Sequence, residues 1–431
     1  MKVAFFTLGC KVNQYETEAM EEMFKKRGYE VVSFEDEADI YIINTCTVTN
    51  LGDRKSRQFI RRAKKLNEDS IVAAVGCYSQ IAPEEVEQIE GVDVIIGTTD
   101  KDRIVDLCEE AREKNKKINV VKNIKYHKEF DKLSIDTIES RTRAYMKIQD
   151  GCNQFCSYCI IPYARGPIRS RRLEDILVEA EKLAKASFKE IVLTGIHVAS
   201  YGKDLKNVDL LDIIEEVSRI EGIERIRLSS IEPTFIDERF MEKVTDNKKF
   251  CDHFHLSLQS GSNGVLQRMN RKYTTEEYRN IVHMIRRYMP EAGITTDIIV
   301  GFPGETEEEF QETCNFVKDI GFSRIHVFKY SPRKGTPASK LENQVHGSIK
   351  NERSDRLIRI GNQVANRFME GFIGKKMEVL FEEEKEGYFE GYTTNYLRVK
   401  AKTDEDVHGK ILPVKIVTKE DDILIGQMQD F

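Results

Sequence analysis

Short runs of β-branched and aromatic residues alternate with polar amphipathic stretches over the first 117 positions, as strands and helices of a parallel sheet require. The pattern predicts strands over 3–8, 40–44, 71–75 and 94–96, with helices over 14–27, 51–67, 83–90 and 101–114. That describes a small doubly wound domain, 1–117. Periodicity then lapses and charges dominate over 118–140, which reads as a linker. From 145 to about 330 six apolar runs recur, at 145–148, 191–193, 226–228, 254–258, 296–300 and 324–328, each followed by an amphipathic stretch. Six βα units are too few to close an eightfold barrel, so a partial (βα)6 barrel is expected over 141–369, ending in a helix over 348–368. Past Gly374 the alternation becomes strand-like with glycine turns, at 377–381, 387–392, 397–401, 410–417 and 423–428. Five short strands in this space predict a small OB-like barrel over 370–431. The expected fold class is therefore α/β, with a β-barrel at the carboxyl end.

A length of 431 residues suits two or three domains of ordinary size. With 67 Lys+Arg against 73 Asp+Glu the net charge is -6, so any nucleic acid must be held by local basic patches. No small-residue cleavage site follows the apolar opening, and no apolar span approaches 18 residues. A cytoplasmic protein without a membrane partner is expected.

Nine cysteines are too sparse and too odd in number for a disulfide scaffold, which points to metal ligation or redox work. Only Cys152, Cys156 and Cys159 are tightly spaced, as C-x3-C-x2-C directly after a predicted strand. Three thiolates on one loop can hold three irons of a 4Fe-4S cluster and leave the fourth open. Zinc would ordinarily want a fourth Cys or His nearby. A chance grouping of core cysteines is the other alternative.

This motif, with Tyr158 just before its last cysteine and a partial barrel behind it, resembles the radical S-adenosylmethionine enzymes. The resemblance implies that the open iron chelates S-adenosylmethionine and that one electron, from a donor such as flavodoxin or ferredoxin, releases a 5'-deoxyadenosyl radical. The loops at the carboxyl ends of the other strands face the same mouth. They carry Thr194 and Gly195, Ser229 and Ser230 with Glu232, Gln259 and Ser260, and Gly301. With Tyr158, these match positions that contact S-adenosylmethionine in the family.

Cys10, Cys46 and Cys77 are far apart in sequence, yet each stands one or two residues beyond the end of a predicted strand. In a parallel sheet such ends converge on one edge, where ligands bind. They make a second candidate trio for a 4Fe-4S cluster; three separate buried cysteines are the alternative. For Cys108, Cys251 and Cys314 the buried reading is preferred.

A second trio narrows the resemblance to the methylthiotransferases, which join an amino-terminal three-cysteine domain and a radical core to a carboxyl-terminal RNA-binding barrel called TRAM. The resemblance implies two clusters, two molecules of S-adenosylmethionine and a sulfur source. The segments 141–151, 160–167 and 194–202 resemble the branch acting on threonylcarbamoyladenosine beside the anticodon of tRNA. Isopentenylated adenosine in tRNA and an aspartate of a ribosomal protein are the other acceptors in the family.

Local charge supports RNA. Arg54, Lys55, Arg57, Arg61, Arg62, Lys64 and Lys65 lie on one predicted helix with no acid among them, and 141–172 holds seven Lys/Arg against one Asp. Arg54, Arg57, Arg61, Arg165 and Arg169 are the candidate phosphate contacts from these two stretches, with an ordinary solvated helix face as the alternative for the first. The last domain has nine Lys+Arg against thirteen Asp+Glu over 371–431, so only part of its surface suits RNA. Its candidates are Arg398 and Lys400, with Tyr392 and Tyr396 as bases' stacking partners. A basic acceptor protein fits the acidic barrel too. His197 is read either as a substrate contact or as a loop histidine that packs locally. A non-catalytic two-cluster electron carrier or RNA-binding protein is disfavoured, since carriers cover all irons with cysteine and need no barrel. No general acid/base pair is evident.

Overall fold

In the computed structural model, residues 1–131, 133–135 and 142–428 are described. Arg141 and positions 136–140 of the expected linker lie outside the described residues.

The amino-terminal sheet is wholly parallel, with β1 (Lys2–Thr7), β2 (Glu30–Val32), β3 (Ile40–Thr45), β4 (Ile71–Gly76), β5 (Val94–Ile96) and β6 (Ile118–Asn119) in the order 2-1-3-4-5-6. Strands β2 and β6 were not expected, because two or three residues carry too little periodicity to register. Strand β6 falls at the start of the stretch read as a linker, and its backbone continues the ladder of β5. Alternate residues of each strand serve the two faces. Val3, Ile40, Ile42 and Val75 pack against Met20 and Phe24 of the helix Lys11–Lys26. Tyr41, Ile43, Val72 and Ala74 pack against Ile60 and Ala63 of the helix Asn50–Leu66.

The central domain contains β7 (Arg143–Asp150), the short antiparallel β8 (Arg169–Ser170), β9 (Glu190–Gly195), β10 (Arg225–Leu228), β11 (His253–His255), β12 (Gly293–Val300) and β13 (Arg324–Lys329). Sheets β8-β7-β9-β10 and β11-β12-β13 are joined by single bridges, Ile226 to Phe250 and Ile231 to Leu256. Six parallel strands thus run in chain order around a partial barrel, open between β13 and β8. Ala144, Met146 and Ile148 of β7 pack outward under Ile176, Ala180 and Leu183 of the helix Leu173–Lys185. The opposite face of β7 carries Arg143, Tyr145, Lys147 and Gln149, so the barrel interior is polar. The helix Gly347–Glu370 covers β13, with Gly361 close against Ile325.

Strands β14 (Lys376–Lys385), β15 (Tyr388–Thr393), β16 (Arg398–Lys402), β17 (Ile411–Glu420) and β18 (Ile423–Met428) close the small carboxyl-terminal barrel. It docks on the amino ends of the central strands. Arg225 donates to the carbonyls of Tyr392 and Glu378 at 2.9 and 3.0 Å, and Arg227 to that of Thr394 at 2.7 Å. Tyr396 stacks between Tyr392 and His253, with ring centroids 4.9 and 4.6 Å away, and Arg143 lies over both tyrosines. The expectation that Tyr392 and Tyr396 stack on RNA bases is corrected: both rings are half-buried and spent on docking. Glu382, the first of three consecutive glutamates, is consumed by an ion pair with Arg143.

Among the described residues, no helix is long and apolar enough to cross a membrane.

Candidate iron–sulfur and substrate site

The loop after β7 carries Cys152, Cys156 and Cys159. Gly151 opens it at φ +72, where a Cβ would stand 1.9 Å from the carbonyl oxygen of Pro167, so no side chain fits. The Cys152 amide donates to Gly166 and the Cys159 amide to Cys156, at 3.1 and 3.0 Å. From outside, Ser157 donates its amide to Met269 and its hydroxyl to Arg268, which pins the loop. Burial pushes the Cys152 thiol up to about 11 and the Cys159 thiol up to about 12, and the neighbouring Cys156 adds to both. A thiol raised by burial is costly as a bare thiolate, and bound metal relieves that cost.

Cys10, Cys46 and Cys77 follow β1, β3 and β4, which are adjacent in the sheet. In the order 2-1-3 the connections from β1 and β3 run to opposite sides of the sheet, and the crevice this leaves at their carboxyl ends is where such sheets bind ligands. The approach is close: a Cβ on Gly9 would lie 3.1 Å from the Cys46 sulfur. Burial pushes the Cys46 thiol up to about 12, with Cys77 and Cys10 contributing, and burial raises Cys77 too. Asn13 ties the loops together, donating to the carbonyls of Leu8 at 2.6 Å and Thr45 at 3.0 Å.

Ligands on one tetrahedral zinc with Zn–S bonds near 2.3 Å would hold their sulfurs only about 3.8 Å apart. Among the described residues, the groups whose ligand atoms all lie within 4.8 Å of one another are Glu16, Asp131 and Asp150, and His255, Asp297 and His326, and neither cysteine trio is one of them. Cys108, Cys251 and Cys314 are buried, all three with thiols raised by burial, as core residues should be.

The two trios are neighbours. The helix Cys77–Ile81 packs on the helix Ile161–Arg165, which follows Cys159 almost directly. Arg165 extends from that helix to Asn13, at 2.7 Å, and to Glu16 and Asp150, at 2.7 and 3.1 Å. Lys147 pairs with the same two carboxylates, and Lys101 with Glu16. Burial alone would raise Glu16 and Asp150, yet the surrounding cations, Arg165 foremost, hold both carboxyls well below the ordinary range. The expectation that Arg165 and Arg169 contact RNA is corrected, since they are 0% and 1% exposed and belong to this buried network. Arg333 fixes the other side of the crevice, donating at 2.6 Å to Thr47, Asn50 and Asp53 in the segment after Cys46.

Around the mouth of the barrel the expected cofactor contacts divide. Thr194 and Ser229 are buried there, and the Ser229 hydroxyl has no partner among the described residues, so a polar group of a bound molecule suits it. Glu232 is gripped by Arg271, both oxygens at 2.9 Å, and the same guanidinium donates to the Cys156 sulfur at 3.4 Å. Ser230 is exposed and Gln259 half-buried at strand ends. Gly195 sits tightly on Gln149, whose side chain accepts the His197 amide. His197 also bonds Ser200, and its Nε2 stands 3.7 Å from Glu232. Tyr158 packs with Val265, Met269 and Phe302 behind the loop. Two positions do not open on the mouth as expected: the Ser260 hydroxyl turns to Thr313 on the helix Glu307–Ile320, and Gly301 abuts Lys350. Neither Arg271 nor Arg333 was picked out from sequence, because an isolated arginine in a turn has no local signature.

Of the expected RNA contacts, Arg54 and Arg61 are exposed on one face of the helix Asn50–Leu66. Arg57 is half-buried and donates to the Tyr78 hydroxyl at 3.0 Å. Arg398 and Lys400 pair with Glu390 and Glu420, so in this structure the barrel neutralises its own candidate cations.

A model of the Radical SAM superfamily matches residues 146–317, and one described as Uncharacterized protein family UPF0004 matches residues 2–97. The chain is 48% identical over 421 residues to the threonylcarbamoyladenosine tRNA methylthiotransferase MtaB of Bacillus subtilis, covering 96% of this chain and 93% of the relative. It is 44% identical to the Aquifex aeolicus protein of that name, with 96% and 100% covered. A tRNA-2-methylthio-N(6)-dimethylallyladenosine synthase from Alkaliphilus oremlandii is 36% identical, with 96% and 90% covered. Among solved structures, the radical S-adenosylmethionine methyltransferase TsrM of Kitasatospora setae superposes with a TM-score of 0.58 at 15% identity over 78% of this chain and 77% of that one, a likeness of fold.

Proposed function

Because this chain belongs to the radical S-adenosylmethionine methylthiotransferases that act on tRNA, we propose that it converts N6-threonylcarbamoyladenosine beside the anticodon to its 2-methylthio derivative. The observation that carries this reading is the pair of cysteine trios, six thiols on two adjoining loops systems, in a chain that matches the threonylcarbamoyladenosine enzymes along nearly its full length. In this reading Cys152, Cys156 and Cys159 hold the 4Fe-4S cluster of the radical core. Cys10, Cys46 and Cys77 hold a second one. When bound, the clusters and two molecules of S-adenosylmethionine supply the radical chemistry, the sulfur and the methyl group that conversion of a C–H into a C–S bond requires.

The protein's own work is placement and exclusion of water. Arg271 fixes Glu232 and the Cys156 sulfur in one grip, and leaves the Ser229 hydroxyl, Thr194 and Gln259 to meet the cofactor. The buried network of Glu16, Asp150, Arg165 and Lys147 keeps the two loops in register. An external electron donor such as flavodoxin or ferredoxin, and a sulfur source, complete the requirements.

Mass spectrometry of tRNA nucleosides from a deletion strain tests the reading. Loss of 2-methylthio-N6-threonylcarbamoyladenosine is expected. Its persistence, with loss of the dimethylallyl counterpart or of a methylthio group on a ribosomal protein, assigns one of the other acceptors instead.

With Arg57, Arg165, Arg169, Arg398 and Lys400 otherwise engaged, phosphate contact falls to the face bearing Arg54 and Arg61. Reversing both, Arg54→Glu with Arg61→Glu, should weaken tRNA binding and reduce the slope of log K against log salt by about 2. An unchanged slope in a salt titration assigns RNA binding to another face.

A further inference from the structure

The chamber inside the partial barrel holds one charge that the reading above leaves unused. Most buried cations along it are matched by acids: Lys147 and Arg165 share Glu16 and Asp150, Arg227 pairs with Glu190, and Arg271 with Glu232, while Arg225 is held by the carbonyls of Tyr392 and Glu378. Lys11 differs. Among the described residues it forms no ion pair, and its Nζ sits 5.6 Å from the ring centroid of Tyr145, on the inner face of β7. Lys11 is also the first residue of the helix Lys11–Lys26, whose first turn contains no acid and whose amino end is itself partly positive. A part-buried ammonium in such surroundings is stabilised by an anion that arrives from outside.

The position next to Cys10 makes that anion relevant to the chemistry. In adenine, the N6 substituent borders the same edge of the base as C2. A base that presents C2 to the crevice of Cys10, Cys46 and Cys77 therefore carries its substituent into the space around Lys11. The threonylcarbamoyl group bears a carboxylate and the dimethylallyl group bears none. The wall beside the ammonium is polar, since Tyr145 shares the inner face of β7 with Arg143, Lys147 and Gln149, and a hydrocarbon gains little there. The geometry points to Lys11 as the residue that receives the carboxylate of the threonylcarbamoyl group and so selects the acidic substituent over the neutral one. This inference rests on the substrate reading given above.

The test uses the full-length enzyme with its clusters reconstituted anaerobically. Three anticodon stem-loops serve as probes, bearing N6-threonylcarbamoyladenosine, its methyl ester, or N6-dimethylallyladenosine. Kd by fluorescence anisotropy is read beside iron content and the electron paramagnetic resonance spectrum. A charge-assisted contact predicts that the parent enzyme binds the acid on the order of tenfold to a hundredfold more tightly than the ester. In Lys11→Met that ratio should collapse to within about threefold, and Lys11→Arg should restore part of it. The ratio is internal to each protein, so a general loss of folding or loading leaves it interpretable. If Lys11→Met still separates acid from ester as the parent does, the inference is overturned. It is overturned too if the variant weakens acid and ester alike while the cluster spectrum changes, because the ammonium then serves the cluster. Failure of the substrate reading looks different: the parent would methylthiolate the dimethylallyl stem-loop and leave the threonylcarbamoyl one unmodified.

Discussion

Cys156→Ala reduces reductive cleavage of S-adenosylmethionine to background, whereas Cys46→Ala leaves cleavage running and stops delivery of sulfur to RNA. The expectation follows from the separate placement of the two trios. Cys156 stands mid-loop between Cys152 and Cys159, accepts from Arg271, and through that guanidinium is joined to Glu232 at the cofactor mouth. Its removal takes a ligand and disconnects the grip in one change. Cys46 follows β3 in another domain, and none of the residues around the mouth depends on it for position. Its loss leaves the radical loop intact. The measurements are 5'-deoxyadenosine, the 2-methylthio nucleoside, iron per chain and melting temperature, since loss of a metal ligand can also unfold its domain. Equal loss of cleavage in both variants contradicts the division of labour.

Arg165→Met destabilises the protein by roughly 3–5 kcal/mol, the usual result of removing one partner from a buried ion network. Arg165 is fully buried, and Glu16 and Asp150 would keep only Lys101, Lys147 and Arg169 as counter-charges. Adding Glu16→Gln should not recover the loss, because Lys101 and Lys147 then lose the carboxylate they share. The same network sets an acid limit. Glu16 and Asp150 titrate below their ordinary values of 4.5 and 3.8 in the folded chain. The stabilisation they give is therefore complete above about pH 4.5 and is lost progressively as pH falls below it. Denaturation of parent and double variant across pH 3 to 6 checks this, and a parent no more acid-sensitive than the double variant contradicts it. Limited proteolysis should locate the first opening at the contact between the amino-terminal domain and the helix Ile161–Arg165.

The motif Cys152-x3-Cys156-x2-Cys159 was legible because all three cysteines sit on one loop, where chain spacing and spatial spacing are nearly the same thing. Cys10, Cys46 and Cys77 were legible at one remove, since a parallel sheet brings the ends of β1, β3 and β4 to one edge whatever lies between them. The six-unit central repeat and the five-strand terminal barrel followed from periodicity, which buried faces impose on any chain.

Charge was the poorest guide. Arg54, Arg165 and Arg398 look alike in sequence, yet one is exposed, one is sealed beneath two domains and one is paired with Glu390. Tyr392 and Tyr396 have the composition of an RNA-facing strand and became the seat of the barrel on Arg143, Arg227 and His253. Arg271, Arg333 and Lys11 gave no sign at all, because what distinguishes them is the company they keep across hundreds of residues.

The order of residues by itself determined the three-part architecture, the two sets of thiols and the kinship with enzymes that act on tRNA. Only the packed structure decided which cations face solvent, which are locked between domains, and that Lys11 is left inside the barrel without an acid among the described residues. The reason is physical: a strand or loop is specified by neighbours along the chain, but the worth of a charge depends on how much water it has lost and on the sign of whatever the fold has set beside it.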